Sequence, residues 1–338
     1  MKEAEGNEVS QVQRAERPGR GGKWWILLFA ALVVVGIAAV FFFRQDGLRE
    51  QLRALAGESG TYEEEVRGPG WYVRLADRYK LPVLKRPVRF SSRTVTDEDM
   101  AVVGRADTLL AVDLYGSKIS DAGMAHLKGL TNMRNLLVYN TKIGDAGLAH
   151  LSELTELREL FLNGTKVSDA GMAHLRKLKN LRVLNLNGTE VTDEGLALLS
   201  GFWNLHYLDL GMTGVTDSGM AYLECLTKMQ LLALNGTKIG DAGVAYLSEL
   251  TELKNLLLHE TKVSDGGLVH LKKLKKLRVL SLNGTEVTDA GLVHLKSFQE
   301  LRMLVLFGTR VTSEGVADLE ISNSQCKRDF QVTDGRCA

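Results

Sequence analysis

The residues with the greatest capacity for chemistry in this 338-residue sequence are histidines and aspartates that recur every 24 residues. Imidazoles and carboxylates bind metals and transfer protons when several of them converge on one point. Here each histidine or aspartate of a column belongs to a different repeat, so these side chains are spread over separate units. We therefore predict neither a metal site nor a catalytic site among them. The histidines are His126, His150, His174, His270 and His294, and the aspartates run from Asp97 to Asp289.

Signatures of common enzyme classes are absent from the sequence. It contains no Gly-x-Ser-x-Gly, phosphate loop, CxxC or HExxH pattern, so we predict that the chain is not an enzyme and holds no cofactor. The alternative is an enzyme confined to residues 71–90, where the repeat pattern is broken. Lys and Arg total 42 against 41 Asp and Glu, and this balance gives no electrostatic basis for a nucleic-acid partner.

The elements that position these residues follow from apolar columns in each repeat. When each unit is numbered from its first leucine, as in 157–180, positions 1, 4 and 6 are leucine or another apolar residue almost throughout. The alternation at positions 4 and 6 predicts a strand with one side inward. Val88 and Phe90 occupy the same columns one period before the regular array, which predicts about ten strands. Units this thin bury their apolar faces only by stacking on their neighbours.

Polar positions complete each unit. Position 9 is threonine in successive units from Thr141 to Thr309, and its hydroxyl is predicted to bond the backbone of the neighbouring unit. Positions 12 and 13 are most often Ser or Thr followed by Asp, which predicts the start of a short helix, with either residue as its N-cap. Glycine at position 15 and small residues nearby are predicted to let this helix lie close to the sheet.

These columns carry a resemblance to a known family. The pattern Leu157, Leu160, Leu162, Thr165 and Val167 resembles the leucine-rich repeat, with threonine where many members have asparagine. The Thr-Asp-x-Gly-Leu half resembles F-box-associated and bacterial GALA-type repeats, although no F-box-like module precedes it. The resemblance implies an α/β fold, a right-handed solenoid or horseshoe. Its parallel sheet would line the concave side and its short helices the convex side.

Side chains at positions 3, 5 and 7 are predicted to point away from the core, and we call the surface they form the strand face. An extended face with exposed aromatic side chains is typical of recognition of a protein segment or a glycan chain. The alternative is that these side chains only pack against one another. The predicted binding residues are Tyr115, Leu137, Tyr139, Phe161, Asn163, Asn187, Tyr207, Asp209, His259 and Phe307.

A membrane anchor is predicted at Trp24 to Phe43, a run of apolar residues without charge. As a helix it would span about 30 Å, which is one bilayer crossing. A cleaved signal peptide is the alternative, because Gly36-Ile37-Ala38 resembles a cleavage site. Lys and Arg are slightly enriched before the segment, which favours a single-pass signal-anchor with the repeats outside the cytoplasm.

The predicted domain organisation places one repeat array after the anchor. Cys326 and Cys337 lie near the C-terminus and either form a disulfide or remain free thiols. The predicted function is recognition by a membrane-anchored repeat protein, and the alternative is a structural spacer of the cell envelope without a specific ligand. The segments are a disordered tail (1–23), the transmembrane helix (24–43), a stalk and linker (44–70), an N-terminal cap (71–87), the array of about ten units (88–322) and a C-terminal tail (323–338).

Overall fold

A sheet whose strands follow one another in chain order forms the framework of the protein. The computed structural model describes residues 47–57, 60–66, 85–322 and 331–333, and from Leu48 onward they belong to one compact unit. The sheet has twelve strands in the order β1 to β12. They are β1 (Thr61–Val66), β2 (Lys85–Ser91), β3 (Ala111–Asp113), β4 (Asn135–Leu137), β5 (Glu159–Phe161), β6 (Val183–Asn185), β7 (Tyr207–Asp209), β8 (Leu231–Ala233), β9 (Asn255–Leu257), β10 (Val279–Ser281), β11 (Met303–Val305) and β12 (Gln331–Thr333).

The strands from β2 to β12 pair in parallel, and only β1 runs antiparallel, against β2. From β3 to β11 each residue at position 4 lies beside its counterpart one unit away, as Val112 does beside Leu136. At the start of the sheet, Phe90 pairs with Val112, which is 22 residues later instead of 24. The parallel sheet predicted from the repeat is confirmed, and a strand does contain Val88 and Phe90. The columns predicted for these two residues were wrong, because Phe90 and not Val88 pairs with the position-4 residue Val112. The sheet exceeds the predicted ten strands because β1 and β12 come from sequence outside the regular array.

The apolar columns form one continuous core. Leu157, Leu160 and Leu162 are 0% exposed, and the same positions are buried in the neighbouring units. On the helix side, Met172 and Leu175 close the same layer. Burying a leucine side chain contributes about 1.5–3 kcal/mol, so each unit depends on the one stacked against it.

Short helices return the chain to the start of the next strand. In most units an α-helical turn continues into a 3-10 turn. The α-helical segments are 47–56, Met100–Val103, Asp121–Met124, Asp145–Ala149, Asp169–Met172, Asp193–Ala197, Asp241–Ala245, Asp265–Leu268, Asp289–Leu292 and Ser313–Ser322. The 3-10 segments are Ala125–Leu127, Ala173–Lys177, Leu198–Gly201, Asp217–Leu223, Tyr246–Glu249, Val269–Lys273 and Val293–Ser297.

The two residues of each Ser/Thr-Asp pair have different structural roles. The position-12 residue is the N-cap, as at Ser168, whose hydroxyl accepts a hydrogen bond from the amide of Ala170. The position-13 aspartate bonds the next unit: Asp145 accepts from the Ser168 amide at 2.8 Å and from the Ser168 hydroxyl at 2.6 Å. A polar ladder thus joins successive units. At Asp97, burial works to raise the pKa, but hydrogen bonds from Ser120 outweigh it and lower the pKa.

Glycine at position 15 makes room for this ladder. A Cβ atom added to Gly123 would lie 2.5 Å from Oδ1 of Asp97, and one added to Gly147 would lie 2.5 Å from Oδ1 of Asp121. Real Cβ atoms do not approach an oxygen so closely. The aspartate and the glycine of the following unit therefore form one structural pair.

The threonines of position 9 bond within their own unit, so the prediction that they bond the neighbouring unit was wrong. The Thr189 hydroxyl donates to the carbonyl of Leu186 at 2.6 Å, and the Thr213 hydroxyl donates to the carbonyl of Leu210 at the same distance. The hydroxyl reaches the carbonyl three residues earlier because the turn folds back over the end of the strand. The ladder between units is formed by the aspartates instead.

The first edge of the array is covered by residues from the predicted stalk and linker. Within the helix at 47–56, Leu52 is 0% exposed and packs into the core of the array. Arg49 and Glu64 join this helix to β1 through an ion pair of 2.7 Å, and the hydroxyl of Ser92 donates to the carbonyl of Leu55. The helix and β1 together shield the apolar edge of the first unit.

Several predictions fall on residues outside the described part of the chain. They concern the disordered tail, the anchor at Trp24 to Phe43, most of the cap at 71–87, and Cys326 and Cys337. Among the described residues, no helix combines the length and apolar composition needed to cross a bilayer.

Candidate binding site

The strand face is built by three-residue strands whose central residue points into the core. In β5, Leu160 is buried, whereas Glu159 and Phe161 on either side of it are half-buried. Position 7 follows each strand, and a residue with left-handed φ at position 8 then turns the chain. Glycine takes most of these turns, but Met212 adopts φ 56° and is 58% exposed. None of the ten predicted binding residues is fully buried.

Four of the predicted residues form an aromatic row across five successive units, from that of β3 to that of β7. The rings of Tyr115 and Tyr139 stack with centroids 4.3 Å apart, and Tyr139 and Phe161 are 6.5 Å apart. Phe161 and Tyr207 are also separated by 6.5 Å. The row runs diagonally, because its members occupy positions 7, 7, 5 and 3 of their units. At its start, the guanidinium of Arg93 lies 4.8 Å from the centroid of Tyr115.

A hollow of about 330 Å³ lies beside the aromatic row, over strands β1 to β5. Leu137 is the one predicted binding residue in its wall. Carboxylates of Glu63, Asp113 and Glu159 also line it, together with Arg89. Arg89 and Glu63 form an ion pair of 3.4 Å in which both side chains are largely exposed, so this pair adds little stability.

The electrostatics of the row are set by burial and by nearby carboxylates. Burial raises the pKa of Tyr139, and the negative charge of Asp113 and the neighbouring Tyr115 add to this rise. Burial likewise raises the pKa of Tyr207, with a further contribution from Asp209. Both phenols therefore stay protonated at neutral pH and offer hydrogen-bond donors together with aromatic surface.

Polar residues continue the strand face beyond the row. The side chain of Asn187 donates to Asp209 at 3.2 Å, and Asp209 also accepts from the amide of Gly211 at 2.9 Å. Asn163 is half-buried two residues after Phe161. These side chains extend the surface with fixed amide and carboxylate groups.

The structure does not join the last two predicted residues to the row. His259 follows β9 and Phe307 follows β11, two and four strands beyond β7, which carries Tyr207. Phe307 is 60% exposed and its amide donates to Asn283 at 3.1 Å. A binding site that includes all ten residues would have to extend along nearly the whole strand face.

Sequence reasoning missed Asp113, Glu159 and Arg93. The two carboxylates occupy positions 5 and 3, so the alternation that identified Phe161 also predicted their exposure. Arg93 precedes the regular array and had no such signal. Within the described residues, no three His, Cys, Asp or Glu side chains converge to hold a metal.

Family comparison agrees with this architecture. The family described as Leucine Rich repeat matches residues 177–200, 204–223 and 273–296, which carry β6, β7 and β10 and the turns around them. These three segments match leucine-rich repeats. No curated protein matches the chain significantly.

Several solved structures are similar to this one. Internalin C2 from Listeria monocytogenes is 25% identical with a TM-score of 0.51, over 63% of this chain and 84% of that one. The internalin InlF from the same organism is 18% identical with a TM-score of 0.46, over 88% and 97%. The ectodomain of the Arabidopsis thaliana receptor kinase GASSHO1/SCHENGEN3, in complex with CASPARIAN STRIP INTEGRITY FACTOR 2, is 17% identical with a TM-score of 0.49, over 70% and 29%. The likeness to internalin C2 supports the repeat fold.

Proposed function

We propose that this leucine-rich repeat protein recognises a segment of another protein through its strand face. We also propose that a membrane anchor holds the chain, with the repeats outside the cytoplasm. The ten residues from Tyr115 to Phe307 named above are the proposed binding surface, and its centre is the aromatic row with the hollow beside it. Binding is non-covalent. The observation that carries the proposal is the continuous row from Tyr115 to Tyr207 on a face that no other described element covers.

The row has the features of an interface centre. Aromatic side chains supply much of the binding energy at protein interfaces, because they cover a large area with few rotatable bonds. The packing of Tyr115 on Tyr139 holds both rings in place before a ligand arrives. The hollow at Leu137 then provides a recess into which a ligand side chain fits. This combination favours a protein segment over a glycan chain.

The anchor rests on sequence alone. Trp24 to Phe43 is long enough for one crossing, and its tryptophan pair suits the bilayer interface. The repeats then lie on the side opposite the N-terminal cluster of basic residues. A cleaved signal peptide would release the repeats on that same side.

Labelling of Cys225 tests the sidedness. This thiol is free and exposed in the array. In a full-length chain with Cys326→Ser and Cys337→Ser, a membrane-impermeant maleimide should modify Cys225 in intact cells. Modification that requires prior permeabilisation would place the repeats inside and contradict the proposed localisation.

Photo-cross-linking tests the binding surface itself. With benzoylphenylalanine at Leu137, in the wall of the hollow, the full-length protein in intact cells should give a saturable protein adduct. The matched control places the same group at Val269, which is 39% exposed on the helix side. Adducts of equal intensity from both sites would argue against the strand face. The absence of any adduct would favour a structural spacer, and an adduct shortened by glycosidases alone would indicate a glycan ligand.

A further inference from the structure

The strand face pairs aromatic rings with carboxylates that have no cationic partner. Arg89 is the one cation in the wall of the hollow, and it lies beside Glu63. Asp113 and Glu159 form no ion pair within the described part of the chain, and the one hydrogen bond recorded for the Asp113 side chain comes from the Tyr115 amide. The wall of the hollow therefore contains two carboxylates, those of Asp113 and Glu159, that form no ion pair among the described residues.

The aromatic row already holds a guanidinium of the same chain. Arg93 lies over Tyr115 at 4.8 Å, within the range in which a cation is attracted to the face of an aromatic ring. The rings that follow are tilted by 53° between Tyr139 and Phe161 and by 44° between Phe161 and Tyr207. Tilted rings leave part of each π face open, so the next positions along the row offer the same kind of contact.

The carboxylates lie next to these rings. Asp113 acts on Tyr139 closely enough to raise its pKa, and Asp209 does the same at Tyr207. Asp113 is in register with Leu137 and Phe161 along position 5, and Glu159 begins the strand that carries Phe161. A cation seated on Tyr139 or Phe161 would thus meet a carboxylate within the same patch.

Basic residues of the neighbouring column do not neutralise the hollow. Arg134, Arg158 and Arg182 occupy position 2, before the strands begin, and none of them lines the hollow. These arginines lie at one edge of the strand face. Because they would repel a cationic side chain, a bound segment would place its cationic side chains over the strands instead.

We infer that the segment recognised by the strand face is cationic, with arginine or lysine side chains placed on Tyr139 and Phe161 and paired with Asp113 and Glu159. This inference rests on the proposed function, because it names the chemistry of the ligand for the same surface. Charge complementarity favours a cationic segment over the other possible ligands. An acidic segment would be repelled by Asp113, Glu159 and Asp209. A purely apolar segment would bury these carboxylates without water or a cationic partner.

Peptide selection tests the inference directly. A displayed library of random nine-residue peptides is selected on the full-length protein in lipid nanodiscs. Wild-type protein should enrich peptides rich in Arg or Lys. The affinity of the best peptide should fall about tenfold in Asp113→Asn/Glu159→Gln, because two charge pairs beside aromatic rings are weakened together. Asp113→Asn keeps the oxygen that accepts from Tyr115.

A matched control removes two carboxylates elsewhere. Glu190 and Glu224 are exposed and lie outside the hollow, so Glu190→Gln/Glu224→Gln makes the same change in net charge and should leave peptide affinity within about twofold. Equal losses in both double variants would show a long-range effect of net charge and overturn the assignment of Asp113 and Glu159.

The remaining outcomes separate the two proposals. Enriched peptides without Arg or Lys, whose binding still requires Tyr139 and Phe161, would overturn the cationic ligand and leave the strand face as the binding surface. Enrichment that is insensitive to Tyr139→Ala/Phe161→Ala, or no enrichment at all, would contradict the cationic ligand and also count against the proposed function.

Discussion

Asp145→Ala is expected to lower the free energy of unfolding by about 3 kcal/mol, roughly twice the loss expected for Asp121→Ala. Asp145 accepts two hydrogen bonds from Ser168, whereas Asp121 accepts one from the amide of Gly144, which has no hydroxyl to offer. A hydrogen bond to a charged group contributes about 1.5–3 kcal/mol, so the second bond accounts for the difference.

The two aspartates are well matched in other respects. Each is half-buried, each is the first residue of a helical turn, and each lies against the position-15 glycine of the next unit. Their interactions with the helix dipole are therefore alike and cancel in the comparison. What remains is the hydroxyl of Ser168.

Urea denaturation followed by circular dichroism measures the two losses. Ser168→Ala in the wild-type and Asp145→Ala backgrounds completes a double-mutant cycle, and its effect should be much smaller once Asp145 is gone. Equal destabilisation by Asp145→Ala and Asp121→Ala would mean that the hydroxyl contributes nothing to the coupling between units.

Sequence alone predicted the framework because its signals are repeated at buried positions. Leu160 and Leu162 alternate as a strand requires, and their counterparts in every unit carry the same signal. The helix starts were predicted for a similar reason, since Ser168 and Asp169 match the residues that helix N-termini need. The period of 24 residues then predicted the register from β3 to β11, whereas β2 pairs with β3 at an offset of 22 residues.

The direction of the polar side chains did not follow from the sequence. Thr165 and Asp145 both stand at polar positions in every unit, and composition does not say which of them reaches the neighbouring unit. The threonine turns back to the carbonyl of Leu162 within its own turn, and the aspartate crosses to Ser168. Which of the two side chains reaches the neighbouring unit depends on the path of the backbone between position 6 and position 13. The stacking of the units determines that path.

The sequence predicted which side chains lie on the strand face. It did not predict which of them contact one another. Alternation predicted that Tyr139, Phe161 and Tyr207 point outward. Their contact depends on a diagonal from β4 to β7, and ring contacts of this kind follow from side-chain rotamers as well as from register. The helix at 47–56 illustrates the same point: Leu48, Leu52 and Leu55 are spaced as in a helix, but this spacing does not indicate that Leu52 packs into the array.

Loss of the aromatic row is expected to have the largest effect on binding. Tyr139→Ala/Phe161→Ala removes the two central rings, and the affinity for the partner cross-linked from Leu137 should fall by about 30-fold or more, as expected for the centre of an interface. Both side chains are half-buried on the sheet surface, so the fold should persist. Circular dichroism and the urea midpoint verify this.

The control replaces aromatic residues on the other side of the molecule. Tyr222 and Tyr246 are 44% and 36% exposed on the helix side, and Tyr222→Ala/Tyr246→Ala should leave the affinity unchanged within about twofold. This variant removes a similar aromatic area without touching the strand face.

The dissociation constant of that partner, measured for full-length wild type and the two double variants, tests recognition through the strand face most directly. The account predicts a large loss for Tyr139→Ala/Phe161→Ala and none for Tyr222→Ala/Tyr246→Ala. Unchanged affinity in the first variant, or an equal loss in both, would contradict it.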